Sequence, residues 1–166
     1  MNSNNKKVVV LRHDVDRYPK HSLKVAKIEA ELGISSTFYF RTIRSVFKPN
    51  IIKEIVSLGH EIGYHYEDLS LCKGNYSNAI NNFEINLDKL RVYYPVKTIC
   101  MHGSPLSRWD NKDIWKKYDY KKYGIIADTS LDIDYNEVFY ITDNGFGWNK
   151  VSTSVRDKVE SQYKIT

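Results

Sequence analysis

The chain has 166 residues, 42% of them hydrophobic and 27% charged, with a net charge of +5; that length and balance suit a single globular domain over 1–166 rather than two domains or a disordered polymer. No apolar run approaches the roughly 20 residues of a membrane span, and the basic residues are dispersed rather than gathered into a stripe, so neither a membrane nor a nucleic acid is an expected partner. Met1–Lys7 is polar and passes into Val8–Leu11 with no cleavage region, which makes cytoplasmic the expected location, and Cys72 and Cys100 alone cannot build a disulfide framework or a close-spaced zinc knuckle.

Val8–Leu11 is an uninterrupted aliphatic run of the kind buried on both faces of a parallel sheet, and it predicts a first strand that stops at the polar stretch His13-Asp14-Val15-Asp16. After Pro19, residues His21–Leu32 place Leu23, Ala26 and Ala30 on one helical stripe with Val25, Ile28 and Leu32 beside it, and Gly33 supplies the stop. Ser36–Arg41 predicts a second strand by β-propensity, and Pro49 opens a helix that runs to Leu58 and closes at Gly59. A third strand is expected at Glu61–His65. Tyr76, Ile80, Phe83, Leu87 and Leu90 recur at helical spacing before Pro95 and a fourth strand at Lys97–Met101. Beyond Trp109 the pattern weakens to a short helix near Asp113–Tyr118, strands near Gly124–Ala127 and Val138–Thr142, a Gly145-Phe146-Gly147 turn and a charged tail.

Strands alternating with helices predict an α/β fold with a parallel sheet, either doubly wound and open or a β/α barrel, and in both the functional groups gather at the C-terminal ends of the strands. Asp14 and Asp16 stand two apart at one such end, where period-2 geometry points both carboxylates the same way. His65 closes the third strand, and neighbouring strand ends lie only about 4.8 Å apart, so Asp16 and His65 are expected to share an ion. His102, after the fourth strand in Met101-His102-Gly103-Ser104-Pro105, is a ligand, an acid or a loop residue at the same edge. His60 precedes its strand and His21 lies on a helix, so both are expected to be structural. The 13 tyrosines either line a groove for sugar rings or pack amphipathically, Tyr93, Tyr94, Tyr118, Tyr120 and Tyr123 among them.

From about Val8 to Pro105 the chain resembles the polysaccharide deacetylase family, also called the NodB-homology or carbohydrate esterase 4 family, chiefly through Val9–Asp16, the Ser-Thr-Phe-Tyr-Phe strand and Gly59–His65. The resemblance implies a distorted, incomplete β/α barrel and removal of N-acetyl groups from a carbohydrate, or cleavage of a small amide, by a water that a divalent metal activates. It also implies Asp14 as catalytic base and Asp16 and His65 as metal ligands, with zinc the default ion. The family's second histidine falls at Leu69, which cannot bind an ion, so the third ligand passes to His102, Glu67 or Asp68, with His102 preferred. The family's closing Leu-x-His motif, whose histidine is the general acid, has no counterpart, because no histidine follows His102; His102 is then also the candidate acid. The resemblance further implies a shortened member, and the alternative to a hydrolase is a carbohydrate- or metal-binding relative that has lost turnover.

Overall fold

The computed structural model describes residues 8–134, 137, 138, 140 and 141. Five parallel strands, β1 (Arg12–Val15), β2 (Thr37–Phe40), β3 (Glu61–Tyr66), β4 (Thr98–Met101) and β5 (Ala127–Asp128), pair strictly in chain order. That order settles the architecture: a doubly wound sheet reverses its strand order at a switch point, whereas consecutive pairing is the arrangement of a β/α barrel. Helices α1 (Pro19–Glu31), α2 (Pro49–Ser57), α3 (Asp68–Leu71) and α4 (Tyr76–Arg91) fill the crossovers, and 3-10 turns at Asn111–Lys116 and Tyr120–Tyr123 precede β5.

Local chemistry explains these boundaries. Pro19 and Pro49 occupy the first turns of α1 and α2, where a missing N–H costs nothing. Gly33 and Gly59 follow those helices with φ of 69° and 91°, left-handed values that stop a helix cheaply only at glycine. The Asn75 side chain accepts from the Asn78 N–H and so caps α4. Among the described residues no helix is long and apolar enough to cross a membrane.

Alternation along the strands sorts the side chains into two layers. Val15, Phe38, Phe40, Ile62, Tyr64, Tyr66, Ile99 and Met101 pack on the helix side against Ala26, Ile52, Ile55, Ile80, Phe83, Leu87 and Leu90, and this is the hydrophobic core. Each fully buried aromatic or aliphatic side chain there contributes about 1.5–3 kcal/mol. Of the helical stripe expected in α1, Ala26 is buried and Leu23 packs against the core, while Val25, Ile28 and Leu32 are exposed. Tyr93, Tyr94, Tyr118, Tyr120 and Tyr123 also pack against the core rather than standing free of it.

The opposite face of the sheet is polar. Arg12 of β1 donates to Thr129 Oγ1, just after β5, at 2.8 Å and to Cys100 Sγ of β4 at 3.3 Å. Tyr39 O–H reaches Thr98 Oγ1 at 3.0 Å, and Thr37 O–H reaches Glu61 Oε2 at 2.9 Å. Side chains of the first strand thus meet those of the fourth and of the segment after the fifth, so the sheet curls into an incomplete barrel.

The first strand departs from the sequence expectation. Val8, Val9 and Val10 are exposed, and pairing starts only where Thr37 N–H donates to Leu11 C=O at 3.1 Å, with Arg12 opposite Thr37. β2 has no residues left to pair with the valine run, so the strand is the polar Arg12–Val15. The last two elements move as well: the short helix is a 3-10 turn beginning at Asn111, and the fifth strand lies at Ala127–Asp128. Val138, Tyr140 and Ile141 are not in a strand, while Thr142, the Gly145-Phe146-Gly147 turn and the charged tail lie outside the described residues.

Gly63 tests the curl directly. Any Cβ at this position would overlap the Tyr39 ring, which lies across the inner face of β3. Gly63→Ala is expected to cost about 1–3 kcal/mol by overpacking, measured by denaturant unfolding, and Tyr39→Ala in the same chain should recover part of it; a neutral Gly63→Ala would show that the ring does not lie there.

Candidate functional site

The C-terminal ends of β1, β3 and β4 deliver Asp14, Asp16, His65, Cys100 and His102 to one place. β1 and β3 are not neighbours, since β2 lies between them, and in a flat sheet their ends would stand about 10 Å apart. The curl removes that gap. His65 Nε2 lies 3.2 Å from Asp16 Oδ1, and His102 Nε2 lies 3.5 Å from the same oxygen. One donor atom each from Asp16, His65 and His102 falls within 4.8 Å of the others, and so does one each from Asp14, His65 and Cys100.

Each imidazole is held from behind. His65 is buried, and its Nδ1 stands 3.0 Å from the Cys100 carbonyl, which can only accept, so Nδ1 carries a proton and Nε2 is the atom that faces Asp16. His102 Nδ1 stands 3.0 Å from Ser104 Oγ and 3.4 Å from Glu67 Oε2, and the carboxylate again favours a proton on Nδ1. His102 N–H extends the β3–β4 ladder by donating to Tyr66 C=O at 2.9 Å, and Asn111 clamps the loop by donating to His102 C=O and Ser104 Oγ. Ser104 itself takes a left-handed φ of 43°, a local strain that this clamp holds in place.

Behind His102 lies an arrangement that the sequence reading did not foresee. Arg41, at the end of β2, grips Glu67 with two hydrogen bonds of 2.7 Å, a bidentate fork, and its third nitrogen donates to the Asp16 backbone carbonyl at 3.2 Å. Glu67 therefore faces the far nitrogen of His102 and orients it. The signal available in the sequence was Arg41 itself, a charge closing a strand otherwise made of Thr-Phe-Tyr-Phe. Asp68 points elsewhere: it is fully buried and accepts from Tyr64 O–H, Asn82 and Asn86 at 2.6–3.1 Å. Burial lifts its carboxyl to about 6 despite those donors. Leu69 is a core residue. His60 is buried at the other end of β3, bonded to Ser36 and to the Ala26 carbonyl, and His21 is on α1.

Electrostatics follow the same geometry. Burial alone would raise the Asp16 carboxyl, but the His65 hydrogen bond and the charges of His65, His102 and Arg41 outweigh it, and the net shift is downward. Burial likewise works against Glu67 ionisation, yet His102 and Arg41 bring it down to about 2. For His65 burial favours the neutral ring, while Asp14, the Asp16 bond and Cys100 prevail and lift it well above the ordinary histidine value. In effect a proton occupies the position that a cation would take. Two neutral imidazole nitrogens and a carboxylate oxygen are a donor set that suits zinc and neighbouring first-row ions.

No family model matches the sequence, and no curated protein matches it. Solved structures do. BA3943, a CE4 family pseudoenzyme from Bacillus anthracis, aligns with a TM-score of 0.56 at 16% identity, over 75% of this chain and 43% of that one. The Bc1960 peptidoglycan N-acetylglucosamine deacetylase, in complex with 4-naphthalen-1-yl-N-oxidanyl-benzamide, aligns with a TM-score of 0.51 at 26% identity, over 75% of this chain and 56% of that one. The fold is that of the carbohydrate esterase 4 family. The chain spans about half the length of the solved structures it matches.

Two outcomes test the site. His65 has a raised folded-state pKa, so in chelator its stabilising contribution is complete below about 6.5 and is lost as pH rises through the folded value. A bound ion requires the neutral ring, so the gain in Tm on adding zinc should be larger at about pH 8 than at about pH 6; an equal or reversed gain would detach His65 from ion binding. Elemental analysis of purified variants should show stoichiometric metal lost in Asp16→Ala, His65→Ala and His102→Ala, whereas Glu67→Ala weakens affinity by about 10–100-fold. A greater loss in Glu67→Ala than in His102→Ala would exchange their roles.

Proposed function

We propose that this chain is a metal-dependent hydrolase that removes the acetyl group from an N-acetylated amino sugar or cleaves a related non-peptide amide, with Asp16, His65 and His102 as the ion's ligands and zinc as the expected ion. The observation that carries this reading is the convergence of both Nε2 atoms on Asp16 Oδ1 with the Asp14 carboxylate beside them. The likeness to a peptidoglycan N-acetylglucosamine deacetylase supports an N-acetylated sugar as the substrate class. A divalent ion in that position would polarise the amide carbonyl and acidify a water.

The remaining work falls to this chain's own side chains. Asp14 stands where its carboxylate can take a proton from an attacking water: part of it is open to solvent, and Arg12 Nη2 fixes one oxygen at 3.4 Å. The water oxygen bonds to the acyl carbon and the carbon–nitrogen bond breaks. With His102 Nε2 engaged as a ligand, the proton held by Asp14 is the one passed to the departing amine nitrogen. The products are a carboxylate and a free amine, and Asp14 serves as base and then as acid. Arg41 and Glu67 act through His102 as positioning residues.

A second reading has its own support. Leu69 fills a core position where the resemblance expects a histidine, and one structural neighbour is a CE4 family pseudoenzyme. On that reading the ion and a glycan bind without turnover. Release of acetate from N-acetylglucosamine oligomers, run beside a panel of small amides, decides between them. Hydrolysis is expected from the zinc-loaded chain, and Asp14→Asn should keep the metal while losing at least about 100-fold in rate. Stoichiometric metal with no turnover on either panel supports the binding protein instead.

A further inference from the structure

Cys100 stands apart from the ligand set just described. Its thiol is buried on the inner face of β4, 3.3 Å from Arg12 Nη1, 3.9 Å from Asp14 Oδ2, 3.8 Å from Ser130 Oγ and 3.8 Å from the Met101 carbonyl. Its sulfur, one Asp14 oxygen and one His65 nitrogen all lie within 4.8 Å of one another. We propose that Asp14, His65 and Cys100 form a second, thiolate-containing ligand set for a soft d10 cation such as cadmium or zinc, overlapping the first set through the His65 imidazole.

The chemistry of the two sets differs in kind. Asp16 with two imidazoles is a borderline set that any first-row divalent ion tolerates, whereas sulfur selects thiophilic ions. Arg12 donates to Cys100 Sγ at 3.3 Å and to Thr129 Oγ1 at 2.8 Å, so it keeps an anchor when a cation displaces it from sulfur. Binding replaces the thiol proton, which leaves to solvent as the cation–sulfur bond forms. His65 Nδ1 is engaged by the Cys100 carbonyl, which leaves Nε2 as the only free donor of that ring. The two sets are therefore alternatives, and one ion is held at a time. Capture on the Cys100 side also takes Asp14 out of service as a proton carrier.

The test needs no turnover, so it stands or falls apart from the hydrolytic reading. Cadmium is titrated into the reduced full chain carrying Cys72→Ser, which removes the other thiol. The result expected is a thiolate-to-cadmium charge-transfer band in the near ultraviolet, together with a cadmium NMR resonance in the range of one sulfur and mixed oxygen and nitrogen ligands. In that background the band should persist in Asp16→Ala, weaken about 10-fold or more in affinity in Asp14→Asn, and vanish in Cys100→Ser and Cys100→Ala. An oxygen- and nitrogen-only resonance, or no band, overturns the proposal even where the Cys100 variants fail to fold. Loss of the band in Asp16→Ala overturns it too, because sulfur would then be an addition to the first set rather than part of a second.

Discussion

Two imidazoles at the ends of different strands each have Nδ1 tied to an acceptor, His65 to the Cys100 carbonyl and His102 to the Glu67 side, and this leaves both Nε2 atoms directed at one oxygen of Asp16. Everything else at the site serves or follows from that constraint. Three groups brought this close are costly unless charge is balanced, and that closeness raises the His65 pKa well above the ordinary histidine value. A cation can supply that balance, and the orientation it requires is already fixed by bonds on the far side of each ring.

Curvature makes the constraint possible. Strand order alone puts β2 between the carboxylates of β1 and the histidine of β3, a separation that the curl of the sheet shortens. The polar inner face, with Arg12 reaching across to Cys100 and Thr129 and the Tyr39 ring lying on Gly63, holds the sheet curled. The apolar residues pack instead on the helix side, so one face of the same short strands supplies stability and the other gathers the carboxylates, imidazoles and thiol.

Much of this was legible in the sequence, for identifiable reasons. Helix starts at Pro19 and Pro49, stops at Gly33 and Gly59, and the spacing of Tyr76 to Leu90 are local signals, and they place α1, α2 and α4 within a residue or two. Asp14, Asp16, His65 and His102 could be grouped in advance because the C-terminal ends of parallel strands share one edge of the sheet, and there they do come together. Val8–Leu11 misled because a β-branched run predicts a strand only where a partner exists, and β2 begins at Thr37, opposite Arg12. The clamp of Arg41 on Glu67 was invisible because it joins residues 26 positions apart, and the surroundings of Cys100 were hidden in the same way, because Arg12 and Asp14 lie 86 or more positions away.

Whether a single ion touches Asp16, His65 and His102 together decides the chemistry of this site. Crystals of the zinc-loaded chain, measured on both sides of the zinc absorption edge, give the position of that ion without reference to activity. The account predicts an anomalous peak at a zinc–nitrogen distance of about 2.0–2.1 Å from both Nε2 atoms and about 2.0–2.2 Å from an Asp16 oxygen. A peak lying away from Asp16, or one touching only one of the two imidazoles, would contradict it.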